Sequence, residues 1–589
     1  MSGTRSDEVA SRAEIPLPGR APLPAANAAE LVRRNGSDPS IRHKPALLFG
    51  DNRVTHADFY GESARWAQLM LERAPSGRAL HVGLLLDNTP EYLFALGGAA
   101  LSGSVVVGCN HTRRGEHLLR DLEHTDVDLV ITEPRHWELL EPIAGELPEL
   151  LVSRRFADDN DPADAHGAPL EDALAAVDDA DPGIEPDVDT TWLLIFTSGT
   201  SSAPKAVVCS QRRLLVTGNR MSMVMGLTSD DVGYVCMPLF HSNALMVGWA
   251  PSIVLGATVG LARRFSASGW LPDVRRYGAT YFNYTGKPLG YLLATAERPD
   301  DADNPLRVAF GNEGSPEMVA AFSKRFGVEV IDAYGATEGG IGLSRVPGGA
   351  PGALGQAPPN IQVVDADGNP RPAARFDDES RLVNAEACVG EIVNTQGAGP
   401  FEGYYNNEEA TARTTRFGWY WSGDLGYLDD DRFLYFAGRD AEWIRVDGEN
   451  FPAQPIESAI ARHPDVVLAA VYGVPDPAAG DQVMVGLVLR DDADFDGPGF
   501  ATWIDAQKDL GPKWRPRYVR LLHDPPTTGT NKVIKRALVH EKFRRDRVGD
   551  DPIYVRERGD QAYRAFGPPD EAALREAFDR HRRQTFWDL

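Results

Sequence analysis

Cysteine is scarce and scattered in this chain. Cys109, Cys209, Cys236 and Cys388 are the only four in 589 residues, and none stands in a CxxC pair or at metal-ligand spacing. Neither a disulfide framework nor a zinc site is indicated, and a reducing cytosol fits that usage. Positive charge is short as well. The 60 Lys and Arg face 85 Asp and Glu, for a formal net charge of -25, which argues against nucleic acid or an anionic membrane as the main partner. No run is built to cross a membrane: the uncharged stretch Leu93 to Cys109 carries four glycines and reads as a buried helix feeding a buried strand. Met1 to Ala29 lack the continuous apolar stretch of a signal peptide. The GxxxxGK[ST] order of a Walker A loop is missing too.

What is present points to several domains. With 42% hydrophobic and 9% aromatic residues, the chain can fill a large core and exceeds one ordinary domain in length. A helix pattern over Glu116 to Glu123 precedes the strand-like Asp128 to Thr132. Arg307 to Phe310 leads into a helix opened by Ser315 and Pro316, closed by Gly327 and followed by the strand Val328 to Ile331. Such alternation predicts an α/β fold. The acidic segment Ala157 to Val188 reads as a solvated loop before the strand Trp192 to Phe196. A self-contained α/β pattern resumes from Ile456 to Arg490, after the strand-like Phe433 to Phe436 and Gly438-Arg439. The charged tail beyond Arg544 ends in a helical pattern, Glu571 to Arg583.

The loop Thr197-Ser198-Gly199-Thr200-Ser201-Ser202-Ala203-Pro204-Lys205 leaves one buried strand and enters another, Ala206 to Ser210. Backbone N–H groups and hydroxyls in such a loop can wrap phosphates, and Lys205 adds a point charge. Three further stretches follow in order: Tyr334-Gly335-Ala336-Thr337-Glu338, Tyr420 to Asp424, and Gly438-Arg439. Together the four resemble the signatures of the adenylate-forming superfamily of acyl-CoA synthetases, peptide-synthetase adenylation domains and luciferases. The likeness runs from about Asn27 to about His540. Phe265 to Ser268, Tyr284, Tyr291 to Leu293, Gly311-Asn312 and Thr527 to Thr530 lean toward the fatty-acid transport and very-long-chain acyl-CoA synthetase branch.

That resemblance implies a set of roles. A carboxylate is a poor electrophile, and joining it to AMP supplies a leaving group, so catalysis rests on positioning and on fixed positive and dipolar groups around the phosphates. Thr337 would meet an α-phosphate oxygen and Glu338 would serve Mg2+, while Tyr334 would stack on adenine. Gly311, Asn312, Glu313, Gly314, Asp332 and Ala333 would border the base, and Asp424 with Arg439 would hold the ribose. Lys532, on the turn-rich Thr527 to Lys532, would be the adenylation lysine, with Lys535 and Arg536 left solvated. His241, in Met237-Pro238-Leu239-Phe240-His241, would border the acyl pocket, with Tyr281, Asn283, Tyr284 and Gly286 as wall residues. Gly448 would let a pantetheine arm pass close to backbone. Asn531 replaces the usual glycine before the lysine. Ala441 stands at the customary hinge position, which leaves the pivot open.

The expected architecture is a large N-terminal domain, residues 27–438, of doubly wound α/β layers with a small β-rich subdomain. A small mobile C-terminal α/β domain follows, residues 439–589, and residues 1–26 are expected to be a flexible N-terminus. The expected reaction converts a small-molecule carboxylic acid, with ATP, Mg2+ and coenzyme A, to an acyl-CoA, AMP and pyrophosphate. Three alternatives stay open: delivery to a carrier-protein thiol, activation of an unusual acid such as nitrite for diazotisation of an aryl amine, and a catalytically dead binding protein. A homodimer is compatible with the sequence.

Overall fold

The computed structural model describes residues 23–588 except 112, 114, 159–160, 163–165, 198–204, 315, 346–348, 351, 378–381, 440–442, 447–448, 479–480, 508–509, 528–532 and 582. Short runs of β-branched and aliphatic residues, such as Val105–Gly108 and Leu129–Thr132, are buried along their whole length, as expected of parallel strands covered on both faces. They belong to a seven-stranded sheet in the order Ala168–Pro169, Glu149–Val152, Leu129–Thr132, His81–Leu85, Val105–Gly108, Thr191–Phe196, Ala206–Ser210. Only the last strand of that order runs antiparallel to its neighbour.

A second, eight-stranded sheet follows the order Gly342–Ser344, Glu329–Gly335, Val308–Asn312, Tyr281–Thr285, Val232–Val235, Thr258–Leu261, Pro45–Phe49, Asn52–Thr55. It is parallel at its centre and antiparallel at both edges. Between residues 355 and 439 the chain forms a five-stranded antiparallel sheet. Beyond it come a hairpin, Trp443–Val446 with Glu449–Pro452, and a mixed five-stranded sheet starting at Val466–Pro475. The α/β class, with a large N-terminal part, a small β-rich unit and a smaller C-terminal part, is as the sequence predicts.

The acidic segment departs from expectation. Leu170 and Leu174, its two leucines, lie one turn apart and are buried, and they anchor the short helix Leu170–Ala176. Asp181 then pairs with Arg33 at 2.7 Å and accepts from the Tyr60 hydroxyl at 2.7 Å. High charge hides both features, because the apolar signal is carried by two residues only. The charged tail is also part of a core: Phe578 and Trp587, from the helices Pro568–Arg580 and Gln584–Asp588, share a buried cluster with Tyr472, Met484, Tyr518 and Phe543. Among the described residues no helix is long and apolar enough to cross a membrane.

Close helix packing explains a glycine pair. Helix Pro90–Ser102 lies against His56–Glu72, and a Cβ on Gly98 would stand 2.6 Å from Trp66 Cβ, while one on Gly97 would stand 2.1 Å from Ser63 Oγ. The Trp192 indole N–H donates to Leu96 O at 2.9 Å and its ring stacks on Trp249. The first sheet, this helix and the segment before Ala250 are thereby locked together. All four cysteines are buried, and burial pushes each thiol pKa upward, that of Cys209 to about 11.

Two outcomes follow from this packing. Gly98→Val should destabilise the fold by about 1–3 kcal/mol through overpacking, read as a lower urea midpoint at unchanged slope; an unchanged midpoint would mean that the helices slide apart freely. His56 starts its helix with Nε2 3.1 Å from Gly256 O, and burial lowers its pKa to about 4. The unfolded chain therefore binds the proton first, and stability falls as pH drops from about 6.5 toward 4, by at most ~1.4 kcal/mol per pH unit for this group. His56→Gln should flatten that slope in denaturant titrations across the same window, and parallel profiles would remove His56 as its source.

Candidate active site

The carboxyl ends of the central strands of the eight-stranded sheet open into a cleft of about 3530 Å³. One side carries Thr285, Phe310 to Gly314 and Asp332 to Gly339, and the other carries Gln454, Glu457, Val466 to Tyr472 and Val533 to Arg536. Ligands of open α/β sheets bind at this end because the strand-to-helix turns leave backbone groups unpaired there. Thr197 and Lys205 also line the cleft. They close the base of their loop through a hydrogen bond from Thr197 N to Lys205 O at 3.0 Å, fixed by the antiparallel pairing of Phe196 with Ala206.

Several polar side chains are held from behind. The buried Asp332 carboxylate accepts from the Tyr284 hydroxyl at 2.8 Å and from Gly314 N at 2.9 Å, and it pairs with Arg345 at 3.3 Å; burial raises its pKa against those partners. Between Asn312 and Gly314 the backbone turns through Glu313 at φ 66°, a left-handed conformation that non-glycine residues rarely adopt. Asn312 Oδ1 is a buried acceptor with no partner among the described residues. The Tyr334 hydroxyl donates to Asp424 Oδ2 at 2.7 Å, and Asp424 stands opposite Arg439 in the register of the β-rich sheet.

The far end of the Tyr334–Glu338 segment is tethered as tightly. Thr337 Oγ1 lies 3.0 Å from Ser242 Oγ, and Arg213 donates to Thr337 O. Glu338 Oε1 accepts from the Tyr404 hydroxyl at 2.7 Å, and Lys205 Nζ sits over the Tyr404 ring at 5.5 Å. His241 Nε2 is buried without a partner among the described residues, and burial lowers its pKa to about 4, so the ring is neutral near pH 7. After His241 the chain winds as a π-helical turn, Asn243–Trp249, which presents Asn243, Met246 and Val247 to the cleft. Such turns often mark functional positions.

Residues 39–405 match the AMP-binding enzyme family, and residues 455–532 match its C-terminal domain. The chain belongs to the AMP-binding enzyme family. Among its relatives is the steroid-22-oyl-CoA synthetase of Rhodococcus jostii (strain RHA1), 46% identical over 534 residues, covering 88% of this chain and 94% of the relative. The medium/long-chain-fatty-acid–CoA ligase FadD17 of Mycobacterium tuberculosis (strain ATCC 25618 / H37Rv) is 46% identical over 499 residues, 84% of this chain and 93% of that one. The fold is shared with the anthranilate CoA ligase AuaEII solved with anthranoyl-AMP, at a TM-score of 0.75 and 21% identity over 90% of this chain and 98% of that one. It is also shared with the o-succinylbenzoate coenzyme A synthetase of Bacillus subtilis solved with ATP and magnesium ion, at a TM-score of 0.69 and 23% identity over 86% and 98%. This AMP-binding enzyme is an ATP-dependent acyl-CoA ligase.

Of the residues singled out in the sequence, the enzyme gathers Thr197, Lys205, His241, Gly311, Asn312, Glu313, Asp332, Ala333, Tyr334, Gly335, Thr337, Glu338 and Asp424 around the cleft. Ser198, Gly199, Thr200, Gly448 and Lys532 lie outside the described residues. Gly286 begins the helix Gly286–Ala294, and Arg439 ends its strand. Tyr281, Asn283 and Tyr284 are absent from the cleft wall, where Thr285 of the same strand stands instead. Tyr281 donates to Gly248 O at 2.7 Å inside a buried cluster, Asn283 bonds Asn243 Oδ1 at 2.7 Å, and Tyr284 serves Asp332. Lys535, read as solvated, pairs with Glu457 at 3.0 Å.

Sequence reasoning missed Tyr404, Arg213 and Ser242. The first two act from well away along the chain, on Glu338 and on Thr337, and no local pattern announces them; Ser242, next to His241, was within reach. Tyr404→Phe should lower kcat/KM for MgATP roughly 10-fold, the worth of one hydrogen bond to a charged group, and should move the Mg2+ titration to higher concentration. An unchanged Mg2+ titration would leave Tyr404 a packing residue.

Proposed function

We propose that the cleft first joins the acid's carboxylate to the α-phosphorus of ATP, releasing pyrophosphate, and then passes the acyl group from AMP to the thiol of coenzyme A. The observation that carries this reading is that Thr337, Ser242, Glu338 and His241 line one cleft together with Asn312, whose Oδ1 has no partner among the described residues. Asn312 Oδ1 suits the amino group of adenine, Tyr334 covers the base, and Asp424 with Arg439 takes the ribose hydroxyls. Thr197 and Lys205, at the two ends of their loop, meet the phosphates. Mg2+ on those phosphates supplies positive charge where negative charge grows, and the Glu338 carboxylate, held by Tyr404, fits it as one of few protein ligands.

His241, neutral and without a partner for Nε2 among the described residues, borders the acid and the entry of the thiol. The acid is a large apolar one, in keeping with the steroid-22-oyl and medium/long-chain acids in the names of relatives at 46% identity and with the apolar side chains Val216, Met221, Val224, Met246 and Val247 of the cleft wall. The part beyond residue 438 turns against the rest between the two half-reactions, bringing first Lys532 and then the Gly448 segment to the acyl centre. The reduced, buried cysteines suit work in the cytoplasm.

The assignment is tested by supplying fatty and steroid-derived acids with ATP, with and without coenzyme A, and following pyrophosphate and thioester together. Pyrophosphate release that depends on the acid, with a thioester formed only when coenzyme A is present, is the expected result. Adenylate that accumulates in the presence of coenzyme A would overturn the acceptor. Lys532→Ala should slow adenylate formation on the order of 10²-fold or more while leaving transfer from pre-made acyl-adenylate nearly intact, and equal damage to both would refute the division of labour.

A further inference from the structure

Helix Gln211–Met225 presents Arg213, Val216, Thr217, Arg220, Met221 and Val224 to the cleft. Their spacing is that of a single helical face. Arg213 marks the activation centre, because it donates to the carbonyl of Thr337. Arg220 stands seven residues further, about 10 Å along the axis at 1.5 Å per residue. It lies over the edge strand Gly342–Ser344, where a Cβ on Gly342 would be 3.7 Å from Arg220 Nη2.

Arg220 differs from the other arginines that line the cleft up to residue 438. Arg113 pairs with Asp121 and Arg345 with Asp332, while Arg413 pairs with Glu409 and Arg416 with Glu391. Arg213 is satisfied by backbone carbonyls. Arg220 has no hydrogen-bond or ion-pair partner among the described residues. Burial acts on it alone, lowering its pKa from the ordinary arginine value. A desolvated cation without a counter-group is unfavourable, and five donors in a fixed fork match a carboxylate or carbonyl oxygen.

We propose that Arg220 determines specificity at the distal end of the acid: it donates to a second oxygen, a carboxylate or a ketone, carried by an otherwise apolar acid about 10 Å from the carboxyl group that is activated. This rests on the reading that the cleft holds the acid, and it adds that the acid is not a plain hydrocarbon chain. Val216, between Arg213 and Arg220 on the same helical face, gives the intervening carbon skeleton an apolar wall, and Met221 and Val224 continue that wall beyond Arg220.

The experiment compares linear monocarboxylates, α,ω-dicarboxylates and ω-oxo acids of matched length, from hexane to tetradecane, as substrates of the wild type, Arg220→Met and Arg220→Lys. For the wild type, kcat/KM is expected to favour an oxygenated acid over its plain counterpart at one chain length. The better of the dicarboxylate and oxo series identifies the oxygen. Arg220→Met should erase that ratio, on the order of 10²-fold, through the oxygenated acid alone, and Arg220→Lys should restore part of it for the dicarboxylate. A wild type that prefers plain acids at every length, or an Arg220→Met that loses both acids equally, overturns the proposal. Calorimetric binding of the same acids keeps the two readings apart. Should no acid release pyrophosphate, the adenylation reading fails, while tighter binding of the oxygenated acid to the wild type than to Arg220→Met still supports the role of Arg220, and equal binding refutes it.

Discussion

The Asp332 carboxylate is the point on which the geometry of the cleft depends. It sits on the strand Glu329–Gly335 and reaches the turn after the neighbouring strand through Gly314, the next strand but one through Tyr284, and the end of the edge strand on its other side through Arg345. Three separate segments are thus referred to one buried anion. A buried carboxylate is tolerated only when its lone pairs are filled, so the segments cannot shift independently without leaving it exposed to an apolar surround. The left-handed backbone of Glu313 is held by the same arrangement, since its neighbour Gly314 is one of the donors. Gly311 completes it: a Cβ there would stand 2.3 Å from Tyr284 O, so only glycine lets the two strands approach while the turn folds over them.

How much of this could be read in advance differs from element to element. The layer architecture was legible because strands such as Val105–Gly108 and Leu129–Thr132 are buried along their whole length and announce themselves as short aliphatic runs between turn residues. That Tyr334 to Glu338 would line a common cleft was legible because these residues are clustered along the chain. Which side chains of the strand Tyr281–Thr285 line it was not. In Tyr281–Thr285 every residue is buried, so alternation carries no information about which side chains face a cavity and which face core. Tyr281, Asn283 and Tyr284 point to hydrogen-bond partners in the protein, and Thr285 is left to face the cleft.

The same limit explains the helix Gln211–Met225. A stripe at helical spacing identifies a face but not what that face covers, and most such faces cover core. Only the three-dimensional arrangement shows this one bordering open space, with one of its arginines tied to the Thr337 carbonyl and another tied to nothing among the described residues. Likewise the pairing of Lys535 with Glu457 joins residues 78 apart, and a lysine in a polar stretch carries no mark of such a partner.

The burial of all four cysteines bears on the fate of the activated acid. An acyl-adenylate is an electrophile toward any thiolate, and the protein that makes it is the nearest source of sulfur. Thiol reactivity follows the thiolate fraction and access, and Cys109, Cys209, Cys236 and Cys388 have neither, being enclosed and held protonated by their apolar surroundings. The enzyme therefore offers no competing nucleophile of the kind it delivers the acyl group to. Self-acylation on sulfur is closed off by packing, and the intermediate can wait for a thiol that arrives from solution.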